Sequence, residues 1–293
     1  MDNNYRGHVV YSENKKPDKT VIIAIIAIVS ILVVVGLIVG LVFFVYSSNE
    51  KDDKISTTVK SEEKDIHIKR NDIDIRNNVV YIDGDQADDK AIVQYKKPKQ
   101  GEIIATIKVK GYGNLVVRFF PEHAPLAVEN FLIHAKEGYY DGLTFHRVID
   151  DFMIQGGDPE GDGTGGESIW CNEEGENVPF TDEYSKYLMP IRGALCMANA
   201  GQNTNGSQFF IVQSKEYMIT DVVNLRQTGV DDELVDYYKD NGGAGWLYGK
   251  HTVFGQLIEG YDVLDLIAGA IVDAQSKPEK DVIIETIEID EYK

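Results

Sequence analysis

Cysteine is scarce in this chain of 293 residues: Cys171 and Cys196 are the only two, and neither belongs to a Cys-x-x-Cys pair. A disulfide framework and a thiolate zinc site both need more. The expectation is two separate thiols, with Cys196 buried in a strand. Basic excess is missing too. Lys and Arg number 29 against 48 Asp and Glu, for a net charge of −19, and no basic stripe with interleaved aromatics is present. This excludes nonspecific binding to nucleic acid or to an anionic membrane surface. The six histidines include no His-x-x-x-His pair and none beside a nucleophile, so metal and hydrolase chemistry find no support. Asp158, Glu160, Asp162 and Gly163 imitate the start of a calcium loop, but position twelve is Ile169, which has no carboxylate. Gly161–Gly166 is glycine-rich, yet no Lys-Ser/Thr follows and no βαβ unit surrounds it, so these glycines are read as serving turns rather than phosphate. No cofactor and no metal are expected.

One long apolar run is present. Val21 to Val45 carries no charge, and only Ser30, Gly36 and Gly40 interrupt its large apolar pattern. At about 1.5 Å per residue it can cross a hydrocarbon core of about 30 Å. It is too long for the apolar region of a cleaved signal. Residues 21–46 are therefore expected to be a single transmembrane helix after a short tail, 1–20. Gly36 and Gly40 fit a small-xxx-small pairing pattern. Basic residues flank the span almost evenly, so the positive-inside rule decides little. The short tail favours an uncleaved anchor with the C-terminal part on the extracytoplasmic side. Residues 47–97 are polar and charged and read as a flexible linker. Within it, Val79-Val80-Tyr81-Ile82 before Asp83-Gly84 could form a short hairpin.

From Glu102 the pattern changes. Ile103, Ala105, Ile107 and Val109 alternate with Ile104, Thr106, Lys108 and Lys110, as in a half-buried strand. A turn at Gly111–Asn114 leads to a second strand, Leu115 to Phe120. Pro125 opens a helix to about Glu137, with Gly138 as its stop. A second helix is expected at Tyr261–Ala268, and Val282 to Ile289 alternates again. Many short strands, two helices and strands at both domain ends suggest a closed barrel, because closure removes unpaired edges.

Two blocks mix one cationic or amide side chain with several large apolar ones. They are Phe145-His146-Arg147 with Phe152-Met153-Ile154-Gln155-Gly156-Gly157-Asp158, and Met197 to Phe210. Such a mixture suits a site that holds an apolar ring and offers one strong donor. Together with Gly163-Thr164-Gly165-Gly166 and Trp246 to Gly255, these runs resemble the cyclophilin family of peptidyl-prolyl isomerases along nearly all of residues 98–293. The resemblance implies a mainly β domain, a closed eight-stranded antiparallel β-barrel capped by two α-helices, with the site on the barrel's outer face. It implies that Arg147 is catalytic and that Phe152, Met153, Phe210 and Leu247 form a proline pocket. Gln155, Ala198, Asn199, Ala200 and Gln208 match the family's polar and main-chain peptide contacts, and His146, Gly163, Trp246 and His251 its rim. Trp246 stands where the family contacts the cyclic inhibitor cyclosporin. The implied partners are proline-containing polypeptides, and the implied activity is rotation about X–Pro bonds; with the apolar span at 21–46, the expectation is an isomerase that assists the folding of exported proteins. The alternative from another class is a noncatalytic peptide-binding chaperone or surface adaptor using the same groove.

The chain departs from the family pattern between Phe210 and Trp246, where an insertion at about 216–243 must sit beside the groove. Asp231 to Lys239 reads as a short helix, with acids at its start and Asn241-Gly242-Gly243 at its end. It is read either as a solvated loop or as a lid or selectivity element.

Overall fold

The computed structural model describes residues 73–76, 79–82 and 93–293. The expected tail, the membrane span at 21–46 and most of the linker lie outside them. Among the described residues no helix is long and apolar enough to cross a membrane.

The strands are β1 (Ile73–Arg76), β2 (Val79–Ile82), β3 (Ile103–Val109), β4 (Gly113–Phe119), β5 (Arg147–Ile149), β6 (Met153–Gly156), β7 (Glu183–Tyr184), β8 (Ala194–Met197), β9 (Phe209–Val212), β10 (Val253–Glu259) and β11 (Ile284–Glu291). The helices are α1 (Pro125–Lys136), α2 (Ile219–Gln227), α3 (Asp232–Asn241) and α4 (Tyr261–Ala268). Eight strands form one curled antiparallel sheet in the order β11-β3-β4-β10-β8-β9-β6-β5. The expected full closure is not made by a ladder, since β5 and β11 do not pair. The seam holds an isolated bridge between Thr144 and Ile283. Beside it, Phe145 N–H donates to Val282 O at 2.9 Å and Ile284 N–H to Leu143 O at 2.8 Å. The free edge of β5 is covered where Val148 N–H donates to Ser276 O, which leaves less of that edge open to other chains.

Strand alternation sorts the apolar residues into two clusters. Ala105, Ile107, Leu115, Val117, Ile154, Leu195, Phe209, Ile211 and Phe254 point inward and meet α1 and α4. Phe131 of α1 sits among Phe119, Tyr140, Phe209 and Phe254, with ring centroids 5.2–5.6 Å away. Met153, Ala194, Cys196, Phe210, Val212 and Val253 point outward into a second cluster. Strands β8 and β9 are buried on both faces. The two cysteines are free and Cys196 is fully buried in β8, as expected; Cys171 is exposed.

Helix α1 lacks a side-chain cap at Ala124. Its first free N–H groups are met instead by Glu183, whose carboxylate accepts from Leu126 N at 3.0 Å and Ala127 N at 2.9 Å. A carboxylate also suits the positive end of a helix.

Three sequence expectations are refined. First, chain order on the domain begins before residue 98. Val93–Tyr95 forms a 3-10 turn, and Gln94 is buried. The Gln94 amide bonds both the N–H and C=O of Met189 and donates to Gln256. Arg118 donates to Val93 O and to the Glu102 carboxylate. Second, the hairpin pairs Ile73–Arg76 with Val79–Ile82, so it lies before Asp83-Gly84, and β2 runs parallel to β7. Third, the insertion holds two helices rather than one. The expected α3 is present, capped by Asp231 accepting from Glu233 N and ended at Gly242, φ 75°. The unforeseen α2 packs Val222 and Leu225 on Leu234, Val235 and Tyr238.

Candidate active site

The outward-facing positions form cross-strand rows. Arg147 of β5 stands opposite Gln155 of β6, Gln155 opposite Phe210 of β9, Phe210 opposite Cys196 of β8, and Cys196 opposite Val253 of β10. In the next row Ile149, Met153 and Val212 are opposite one another. Directly opposed side chains lie within about 5 Å. The sheet thus sets a guanidinium at the margin of an apolar floor made by Met153 and Phe210, which are 1% and 5% exposed.

The floor is bordered by half-buried Phe152, Ala198, Trp246 and Leu247, all packed on the same outer cluster. The Phe152 and Trp246 ring centroids are 5.3 Å apart. His251 stands edge-on to Phe210 at 5.3 Å, and its Nδ1 is 3.0 Å from Met197 O, so Nδ1 carries the proton it donates there. Burial lowers the pKa of His251, which favours this neutral form.

A chain of amides orients Arg147. Its Nη1 donates to Gln155 Oε1 at 3.2 Å. Gln155 Nε2 donates to Gln208 Oε1 at 2.9 Å, and Gln208 Nε2 donates to Gly163 O at 3.1 Å and Gly165 O at 2.7 Å. The direction of this relay is forced. Two carbonyls can only accept, so Gln208 must turn its NH₂ to them and its oxygen to Gln155, which in turn offers its own oxygen to the guanidinium. Among the described residues, Arg147 bonds an amide oxygen and no carboxylate.

The loop that anchors the relay is itself organised by Asp158. This carboxylate, 1% exposed, accepts from Glu160 N, Asp162 N and Gly163 N. At Gly157, φ 83°, a Cβ would meet Ser207 O at 2.5 Å, so the second glycine of the Gln-Gly-Gly-Asp run is sterically required. Ser207 Oγ donates to Gly157 O at 2.6 Å and ties the two sequence blocks together. Among the described residues no cluster of side chains could hold a metal ion.

His146 is 5% exposed, and among the described residues neither ring nitrogen has a partner. Burial lowers its pKa, opposed by Asp158 and Asp162 and assisted by Lys277 and Arg147. It is therefore a neutral neighbour beside the Arg147 charge. Gly163 lies next to it, since a Cβ there would stand 4.0 Å from His146 Nε2.

Asn199 uses its side chain structurally, donating to Asp182 Oδ1 and Lys250 O. Ala200 N–H donates to Thr204 Oγ1, and Ala198 N–H to Gln208 O. Asp182 went unnoticed in the sequence. It is fully buried, and besides Asn199 it accepts from Asn203 N, Asn205 Nδ2 and Tyr184 OH. It thereby fixes the 199–205 loop from beneath. No spacing signal marks it, because its partners other than Tyr184 lie 17 to 23 residues away. All fourteen expected site residues thus lie on, or border, one outer face. A separate cleft of about 450 Å³ is lined by Tyr95, Lys97, Arg192, Tyr261 and Tyr292 among others, and shares no residue with that face.

Comparison with known proteins identifies the family. The family model described as "Cyclophilin type peptidyl-prolyl cis-trans isomerase/CLD" matches residues 104–289. Relatives named for peptidyl-prolyl cis-trans isomerase activity occur in Staphylococcus haemolyticus and Staphylococcus epidermidis. Each is 50% identical over 198 residues, covering 68% of this chain and 97% or 98% of the relative. One from Staphylococcus aureus is 50% identical over 196 residues, covering 67% of this chain and 96% of the relative. The crystal structure of a Cryptosporidium parvum cyclophilin-type peptidyl-prolyl cis-trans isomerase superposes with a TM-score of 0.50 at 34% identity, covering 65% of this chain and 98% of that one. The same protein in the presence of the dipeptide Ala-Pro matches equally, at TM-score 0.50 and 34% identity over 64% of this chain and 98% of its own. On these findings the chain belongs to the cyclophilin-type peptidyl-prolyl cis-trans isomerases.

Proposed function

We propose that Arg147 is the catalytic group and that the outer apolar floor is its proline pocket. The single observation that carries this reading is a guanidinium held by an amide relay beside Met153 and Phe210 and, among the described residues, bonded to no carboxylate.

Rotation about an X–Pro bond passes through a twisted state that loses amide resonance, with a barrier of about 18–20 kcal/mol. No bond forms or breaks. The prolyl nitrogen becomes pyramidal and gains a lone pair. A donor fixed at that nitrogen stabilises the twisted state more than the planar one, and only such a difference accelerates the reaction. Arginine suits the role because it stays charged and its planar fork is rigid. Gln155 holds one edge of that fork and leaves the rest to the substrate. Phe152, Met153, Phe210 and Leu247 grip the ring while the chain on one side turns. Ala198, Asn199 and Ala200 offer main-chain groups to the peptide, the Asn199 side chain being committed to Asp182 and Lys250. His146, Gly163, Trp246 and His251 form the rim. The half-buried Trp246 indole supports binding of cyclosporin-type inhibitors.

The apolar run at 21–46 supports a membrane-anchored form with its isomerase domain on the extracytoplasmic side, acting on exported polypeptides. Protease treatment of intact cells tests that placement: loss of the domain agrees with it, and protection contradicts it. The activity is tested with the full chain and an Ala-Pro tetrapeptide. Cis-to-trans conversion well above the spontaneous rate is expected, and equality with that rate would end the catalytic reading.

A further inference from the structure

The insertion carries several large apolar side chains that stay exposed among the described residues, although the Tyr217 ring meets Tyr238 edge-on at 6.2 Å. Of its first helix, Val222 and Leu225 are buried against α3 at 2% and 5% exposure. On its exposed side, among Thr220, Asn224, Arg226 and Gln227, stand two large apolar residues, Ile219 at 64% and Val223 at 48% exposure. Just ahead of the helix, Tyr217 and Met218 are 43% and 52% exposed. A surface helix normally turns polar residues outward. Four large apolar side chains within seven residues are a contiguous patch rather than scattered exceptions.

The patch lies against the rim of the groove. Met218 N–H donates to Tyr238 Oη at 2.9 Å, and the Tyr238 hydroxyl donates to Asp221 Oδ2 at 2.9 Å. The Tyr238 ring packs so tightly under Gly245 that a Cβ there would meet it at 2.8 Å. Gly245 immediately precedes Trp246, whose ring faces Phe152. On the other flank, Lys215 N–H donates to Asp151 Oδ1, one residue before Phe152. The start of α2 is therefore pinned on both sides to the residues that frame the groove. The insertion around it is acidic, with seven carboxylates against Arg226 and Lys239.

We propose that Tyr217, Met218, Ile219 and Val223 form a second binding site for unfolded polypeptide, continuous with the proline pocket past Trp246. It takes apolar side chains some residues away from the target proline, and its acidic surroundings favour segments that also carry Lys or Arg. This inference rests on the isomerase reading for its placement beside a peptide groove. Methionine suits such a surface because its flexible thioether adapts to varied partners. An extended chain advances about 3.3 Å per residue, so a tetrapeptide spans about 13 Å and fills little beyond the pocket. A longer chain reaches the patch, and the gain is one of local concentration as much as of contact.

The test uses the full chain and its triple variant Met218→Ser, Ile219→Ser, Val223→Ser, with thermal unfolding as a control for folding. Turnover of an Ala-Pro tetrapeptide is expected to change less than twofold. Catalysis of proline-limited refolding of a reduced, carboxymethylated protein is expected to fall about tenfold, mainly through KM. In parallel, anisotropy of a labelled 15-residue peptide of Leu, Lys and Ser, without proline, measures the second site apart from catalysis. A loss of affinity of about tenfold in the triple variant supports the inference even if the isomerase reading fails. A Met218→Leu variant, which stays apolar, should retain wild-type affinity. Equal peptide affinity and equal refolding catalysis in wild type and triple variant would overturn it. So would a wild-type dimer that the triple variant loses without any change in peptide affinity, since the patch would then bind a second copy.

Discussion

Phe209 and Phe210 are neighbours on one strand and serve opposite faces. Phe209 is fully buried, with Phe131, Tyr140 and Phe145 edge-on around it at 5.3–6.1 Å. Phe210 points outward to Met153 and meets the edge of His251. Inside, every ring is enclosed by other rings. Outside, the packing stops at half-buried Phe152, Ala198, Trp246 and Leu247. The same residue type therefore supports folding on one face and binding on the other. What separates the two roles is whether a further layer, here α1 and α4, covers the ring.

The sharpest way to break that contrast is to delete each ring in turn. Phe209→Ala should cost about 3–5 kcal/mol of stability by urea unfolding, because the enclosed site cannot collapse. Phe210→Ala should cost less than half as much and still lower isomerase activity at least tenfold. A larger stability loss for Phe210→Ala would refute the assignment of the two faces.

A pH scan probes the structural side separately. His123 is buried against Ser185, and burial lowers its pKa to about 4. The unfolded chain takes up a proton near 6.5, whereas the folded chain resists it until about 4. Stability should therefore fall as pH drops from about 6.5 to 4, by up to about 3 kcal/mol. His123→Leu should flatten that slope, and an unchanged slope would remove His123 as its source.

The relay behind Arg147 is a subtler target. Gln208→Ala leaves the carbonyls of Gly163 and Gly165 and the Gln155 amide without their common partner. It should lower kcat about tenfold, roughly 1.4 kcal/mol, with KM less affected. An effect confined to KM would make Gln208 a substrate contact instead of a positioning residue. Trp246→Ala should do least, changing tetrapeptide turnover less than threefold, because the indole borders the groove and lies outside the polar relay.

How far these features could be read from sequence depends on how local their causes are. β3, α1 and α4 were legible because alternation, Pro125 and Gly138 are signals within a few residues. Strands β8 and β9 show no alternation, being apolar on both faces, and only the family resemblance marks Phe210 as pocket, while nothing in the sequence gives Phe209 a side. Helix α2 escaped notice because its apolar residues lie on two faces and blur the helical period. Apart from the Tyr184 hydroxyl, Asp182, Glu183 and Gln94 act on partners 17 to 162 residues away, and no spacing rule reaches that far. Edge protection by pairing implies a closed seam between β5 and β11. The chain protects β5 with the loop at Ser276.

The central claim is that a single guanidinium, held by amides at the margin of the outer apolar face, speeds prolyl rotation. Its most direct test is kcat/KM of Arg147→Ala in the full chain on an Ala-Pro tetrapeptide, measured beside its unfolding free energy. The account predicts a loss of about 10²–10³-fold with stability within about 0.5 kcal/mol of wild type. Activity within twofold of wild type in a folded variant would contradict it.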